Sequence, residues 1–151
     1  MSAAAFTLRP YRAADEDTAI ELWRRTWQIA YPRLDFTARV DWWRERWRNE
    51  LVATSTITVA ESRGRLVGLV TVDPRTGYLD QVVVAPEAWG SAIAGALLAE
   101  AKRLSPAGLD LAVNADNARA IRFYEKQGFV VTGSDVNPRS GAPVNKMAWR
   151  P

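Results

Sequence analysis

The chain has no cysteine and no histidine, which removes thiolate nucleophiles, disulfides, Ser-His and Cys-His pairs and the commonest zinc ligands together. Catalysis, if there is any, must rest on carboxylates, tyrosine and the backbone, and no metal site is expected. Two segments gather such groups at useful spacing. The first is Tyr78-Leu79-Asp80-Gln81-Val82-Val83-Val84-Ala85-Pro86-Glu87-Ala88-Trp89-Gly90-Ser91-Ala92-Ile93-Ala94-Gly95, which reads as a strand, a small-residue turn and the start of a helix. Small side chains let a ligand approach the backbone, while the first amides of a helix point outward at the positive end of its dipole, so such a turn suits an anion. As plain structure it is a strand, a turn and a buried helix. It is not a Walker loop: Gly90 and Gly95 have the right gap, but Ala96-Leu97 stands where Lys and Ser/Thr are required, and no Gly-x-Gly-x-x-Gly occurs. Nucleotide hydrolysis and dinucleotide binding drop out. The second segment, residues 114–129, sets Asn117, Ala120, Tyr124 and Gly128-Phe129 at fixed offsets, with Asn117 a good helix cap and Gly128 a natural stop.

The elements that must position these residues follow from periodicity. Phe6 to Arg9 alternates like a short strand, and Asp15-Glu16-Asp17 opens a helix at its positive end. Ile20, Trp23, Trp27 and Tyr31 recur at helical spacing until Pro32, and a second helix carries Val40, Trp43 and Trp47 on one face. Trp42 lies off that face. The runs Thr56 to Glu61 and Arg65 to Val72 form a hairpin about Ser62-Arg63-Gly64, and Asp73 to Gly77 turns the chain into the strand Tyr78 to Val84. A helix is expected from about Gly90 to Leu104, a strand from Leu109 to Val113, a helix from Asn117 to Gln127, and strands at Phe129 to Thr132 and Val144 to Trp149. The order β-α-α-β-β-β-α-β-α-β-β predicts an α/β fold with a mixed, mostly antiparallel central sheet and about four flanking helices.

Across 151 residues, 48% are apolar, enough for the core of one domain spanning 1–151. Twenty Lys and Arg against seventeen Asp and Glu leave a formal charge of only +3, interspersed and without a basic stripe. That balance suits an anionic small ligand at least as well as nucleic acid, and a nucleic-acid module is the weaker alternative. No run approaches a membrane span, and the start from Met1 to Phe6 lacks a basic flank followed by a long apolar stretch. The expected setting is cytoplasmic, with no membrane partner; a homodimer is compatible with the sequence.

Together the two segments resemble the GNAT superfamily of acyl-CoA-dependent N-acyltransferases. The resemblance spans the chain through Leu8-Arg9-Pro10, Trp27 to Tyr31, Val84-x-Pro86, Asn117-x-x-Ala120-x-x-x-Tyr124-x-x-x-Gly128-Phe129 and Gly141-x-Pro143 before Met147. The family's phosphate loop reads Gln/Arg-x-x-Gly-x-Gly/Ala, and alignment from Pro86 puts Trp89, Ala92 and Ala94 on its defined positions. Ala94 fits and the first two depart. Trp89 removes a polar contact and Ala92 adds a methyl where close approach is wanted, although backbone amides remain.

The resemblance implies acetyl-CoA as cofactor, with its pantetheine arm along Val82, Val83 and Val84. Its pyrophosphate would lie on the amides of Gly90, Ser91, Ala92, Ile93, Ala94 and Gly95, with Asn117 and Tyr124 nearby. It further implies direct transfer to a primary amine of a small molecule or peptide. Tyr124 would protonate the departing thiolate and the N–H of Val82 or Val83 would hold the oxyanion. Asp80 is the candidate base, read as two residues before Val82 on the same strand face. In the family the Trp-rich helices wall the acceptor cleft, which makes Trp27, Tyr31 and Trp42 candidate acceptor contacts. Asp80 as a solvated strand residue, Tyr124 as a core aromatic, and Arg119, Arg122 and Lys126 as a solvated helix face, with the nucleotide's 3′-phosphate within their reach, are the plainer readings. A GNAT-fold protein that binds acyl-CoA without transfer is a further alternative.

Overall fold

A computed structural model describes residues 5–151; residues 1–4, at the start of the Met1 to Phe6 stretch, lie outside the described residues. Strand β1 (Thr7–Pro10) leads through a 3-10 turn (Ala13–Asp15) into α1 (Glu16–Ala30). Helix α2 (Val40–Arg46) continues through a π turn (Trp47–Leu51) and a last α turn, α3 (Val52–Thr54). Strands β2 (Thr56–Ser62), β3 (Arg65–Asp73) and β4 (Tyr78–Val84) follow, then α4 (Ile93–Leu104), β5 (Leu109–Asn114), α5 (Ala118–Lys126), β6 (Val130–Val136) and β7 (Pro143–Trp149). The sheet order is β1-β2-β3-β4-β5-β7-β6. Every neighbouring pair is antiparallel except β4 and β5. The α/β reading is correct.

Two element bounds differ from expectation by more than a residue. Helix α4 starts at Ile93, because a 3-10 turn (Pro86–Ala88) ends at Trp89 in extended geometry (φ −60, ψ 140) and Gly90 has φ +80, so neither can continue a helix. Strand β6 runs on past Thr132 to Val136, paired along β7.

The sheet carries a core on each face because successive strand residues point to opposite sides. Val70, Val72, Leu79 and Val84 pack with Ile93, Leu97, Leu98 and Ala101 of α4 and with Tyr124 of α5. Leu69 and Val83 pack on the other face with Ile20, Trp23, Trp43 and Trp47 of the N-terminal helices. Trp23 and Trp43 stack at 4.5 Å with an 8° tilt, which binds α1 to α2. Ion pairs reinforce that joint. Arg48, and then Arg44, hold the Glu16 carboxyl down at about 2 through hydrogen bonds. Among the described residues no helix is long and apolar enough to cross a membrane, and no cluster of three metal-binding side chains occurs.

Helix α4 lies close to β3 at Gly68, where an added Cβ would come within 2.9 Å of Leu97 Cδ1 and 3.1 Å of both Ile93 Cγ2 and the Val83 carbonyl oxygen. The backbone oxygen cannot yield. Gly68→Ala is expected to cost about 1–3 kcal/mol by overpacking, read as a lower denaturant midpoint with an unchanged slope.

Candidate functional site

Strands β4 and β5 pair at a single Cα position, Tyr78 with Asp110, and then part. The Ala85 N–H donates to the Val67 carbonyl at 2.9 Å, and the register continues Val84–Gly68, Val83–Leu69, Val82–Val70. In an antiparallel ladder bonded pairs alternate, so Val83 turns its backbone groups to β3 while Val82 and Val84 turn theirs toward β5. β5 is not there to meet them. Of the two amides, that of Val82, and not that of Val83, is therefore free of a strand partner.

A bulge then re-aims the strand. Register slips between Thr71 and Val72, so that Thr71 faces Gln81 and Val72 faces Leu79, leaving Asp80 extra. The fully buried Thr71 accepts the Gln81 N–H on its hydroxyl at 3.1 Å, which satisfies the amide where the ladder breaks. Leu79 and Val82 consequently pack in the same layer, beside α4, although three positions apart. Asp80 does not share the face of Val82. It looks toward α2, where Arg46 grips it with Nη1 at 3.1 Å and Nη2 at 2.6 Å, and Gln81 Nε2 adds a bond at 3.0 Å. The expected orientation was wrong because one inserted residue inverts the alternation, yet the carboxylate still faces the Trp-rich wall.

At the far end of β4 the turn leaves amides exposed. Ser91 N–H donates to Ala88 O at 3.2 Å and Ile93 N–H to Ser91 Oγ at 3.3 Å. The amides of Gly90, Ala92, Ala94 and Gly95 make no hydrogen bond within the described residues, and a Cβ added at Gly90 or Gly95 would meet nothing within 4 Å. Four unpaired donors at the opening of a twelve-residue helix favour negative charge there. Trp89 donates its indole N–H to the Val84 carbonyl at 2.8 Å, and the Arg119 guanidinium lies 4.3 Å over its ring.

On α5, Asn117 Oδ1 accepts the Ala120 N–H at 3.2 Å, the cap expected of it. Tyr124 is buried against Phe123 and Phe129, and desolvation pushes its phenol above the ordinary value. It stays neutral, and so retains a proton to give, across the physiological range. The three aromatics proposed for the acceptor do not form one box. Trp27 and Tyr31 stack at 5.7 Å, but Trp42 adjoins Trp43 and lies under the Arg139 guanidinium at 4.6 Å. Tyr31 instead ties the end of α1 across the gap: its hydroxyl donates to Asp116 Oδ1 and accepts from Asn114 Nδ2, each at 3.0 Å. Sequence reasoning missed Arg46, Asn114 and Asp116, whose partners lie 34, 83 and 85 positions away.

The chain matches the acetyltransferase (GNAT) family over residues 17–129. It is similar to the peptidyl-lysine N-acetyltransferase YjaB of Salmonella typhimurium, with 28% identity over 138 residues covering 90% of this chain and 91% of that protein. In fold it is similar to the PaiA N-acetyltransferase of Thermoplasma acidophilum, solved in complex with coenzyme A. There the TM-score is 0.83 at 21% identity over 97% of this chain and 99% of that one. The apo form of YjaB from Escherichia coli gives a TM-score of 0.78 at 23% identity over 96% and 97%.

Asp80 and Arg46 are each mostly enclosed, so removing one leaves the other short of its partner. Asp80→Ala is expected to destabilise by about 1–3 kcal/mol, a range set between exposed and fully buried pairs. In chemical denaturation the Asp80→Leu/Arg46→Met double variant should lose less than Asp80→Ala.

Proposed function

The chain belongs to the acetyltransferase (GNAT) family, and on that premise we propose that it transfers the acetyl group of acetyl-CoA directly to a primary amine. The lysine side chain of a peptide is the first acceptor to try, by similarity to the peptidyl-lysine enzyme. One observation carries the reading: the unpaired outward edge of β4 at Val82 runs into a turn with four unpaired amides. An extended arm with amides of its own can add to the first as a strand, and a diphosphate suits the second. The residues present therefore fit the donor, with Val82 and Val84 along its arm and Gly90, Ala92, Ala94 and Gly95 at its phosphates.

Bound there, the donor supplies an activated thioester carbonyl. The Val82 N–H donates to that carbonyl oxygen as negative charge grows on it. The amine arrives from the α1–α2 side, where Asp80, held by Arg46 and Gln81, accepts the proton that nitrogen must shed as its bond to carbon forms. The C–S bond breaks, and Tyr124 gives the departing sulfur its proton. With no cysteine in the chain, no acyl-enzyme on sulfur is needed or available.

Tyr124→Phe preserves the ring and its packing but removes the donated proton. Turnover, followed by thiol release against a panel of amines and lysine peptides, should fall about a hundredfold or more. Acetyl-CoA affinity by calorimetry should hardly change. Since burial raises the phenol, wild-type activity should show no alkaline limb from Tyr124 below about pH 10. Wild-type turnover by the variant would return Tyr124 to a packing role, and binding without thiol release on any amine would overturn the transfer reading.

A further inference from the structure

The position at which the family carries Gln or Arg in its phosphate loop is Trp89 in this chain, which on sequence alone is a loss of polarity. The structure gives the indole two partners that change its meaning. Its N–H is spent on the Val84 carbonyl at 2.8 Å, which pins the loop back to the end of β4. Its face carries the Arg119 guanidinium at 4.3 Å. Arg119 sits in the first turn of α5, is exposed, and makes no hydrogen bond or ion pair within the described residues. A guanidinium held over an aromatic ring still has N–H groups to offer, in the fork that matches a phosphate. The contact also removes much of the side-chain freedom that a phosphate contact would otherwise have to freeze.

We propose that Trp89 and Arg119 form a phosphate clamp, in which Trp89 anchors the loop and holds Arg119 as the cation that meets a phosphate of the donor's nucleotide end. The clamp rests on the acetyl-CoA reading above. It restores, from a neighbouring helix, the positive charge that the loop itself lacks. The bond to Val84 has a second consequence: the last outward carbonyl of β4 is already engaged, so strand-like pairing of the donor's arm centres on Val82.

The test is calorimetric titration of acetyl-CoA and of its 3′-dephospho analogue into the wild-type chain, Arg119→Ala, Arg119→Lys, Trp89→Ala and the Trp89→Ala/Arg119→Ala double variant. Arg119→Ala should weaken acetyl-CoA about tenfold or more, as expected for loss of a charge-assisted bond, and Arg119→Lys should recover only part. If the penalty disappears with the 3′-dephospho analogue, Arg119 meets the 3′-phosphate; if it persists, Arg119 meets the diphosphate. Either result supports the clamp. The double variant should bind no more weakly than the worse single one, because the two residues act as a unit. Fully additive losses would overturn the pairing, and Arg119→Ala binding as tightly as wild type would overturn the clamp while leaving the donor reading intact. A wild-type chain that does not bind acetyl-CoA would overturn both. Arg119 is exposed on its helix, so its variants carry the test even if Trp89→Ala fails to fold.

Discussion

Two parallel strands that begin paired and then part are the constraint on which the molecule turns. β4 and β5 share one Cα pairing, Tyr78 with Asp110, and the gap above it leaves backbone donors and acceptors of Val82 facing outward with no strand to answer them. Unpaired backbone groups in a protein interior are costly and correspondingly rare. A fold that maintains such an edge must hold both strands from elsewhere, and this one does. β4 is fixed by β3 and by two packed faces. The end of β5 is held through Asn114, Asp116 and the Tyr31 hydroxyl, and Trp89 closes the Val84 carbonyl at the tip. The gap is thus supported on both sides.

The proposed chemistry follows from what can be placed around that gap in a chain without cysteine or histidine. Nearly every contribution is electrostatic or positional: oriented amides, a carboxylate held by arginine, and a phenol kept neutral by burial. Groups of that kind work only if they are fixed in advance, because a mobile dipole must reorganise as charge moves. The bulge at Asp80 is the clearest instance. One extra residue turns the carboxylate away from the layer of Val82 and toward α2, where Arg46 fixes both oxygens, so the carboxylate leaves by one face of the strand while the Val82 N–H opens along its edge.

Much of this was legible in the residue order. Alternation and helical spacing locate the strands and helices, and the Asn117 cap and the stop at Gly128 are local signals that the structure honours. What was not legible has a common cause. The bulge leaves no trace in a run of mostly apolar residues, so the face of Asp80 was read from an alternation that the strand breaks. Trp42 was grouped with Trp27 and Tyr31 by residue type, but helix phase and Arg139 draw it elsewhere. The helical spacing that predicts a helix from about Gly90 does not carry the backbone geometry of the turn, and the positive φ of Gly90 delays α4 to Ile93. The partners of Trp89, one on a strand and one on another helix, are likewise invisible in the local sequence.

The central claim, that the donor's arm completes the open edge of β4, is tested most directly by amide hydrogen exchange read residue by residue in NMR spectra with and without saturating acetyl-CoA. The Val82 amide should gain protection, together with those of Gly90, Ala92, Ala94 and Gly95, while the Val83 amide, already paired to β3, should change little. Saturation with acetyl-CoA that left Val82 exchanging at its original rate would contradict the account.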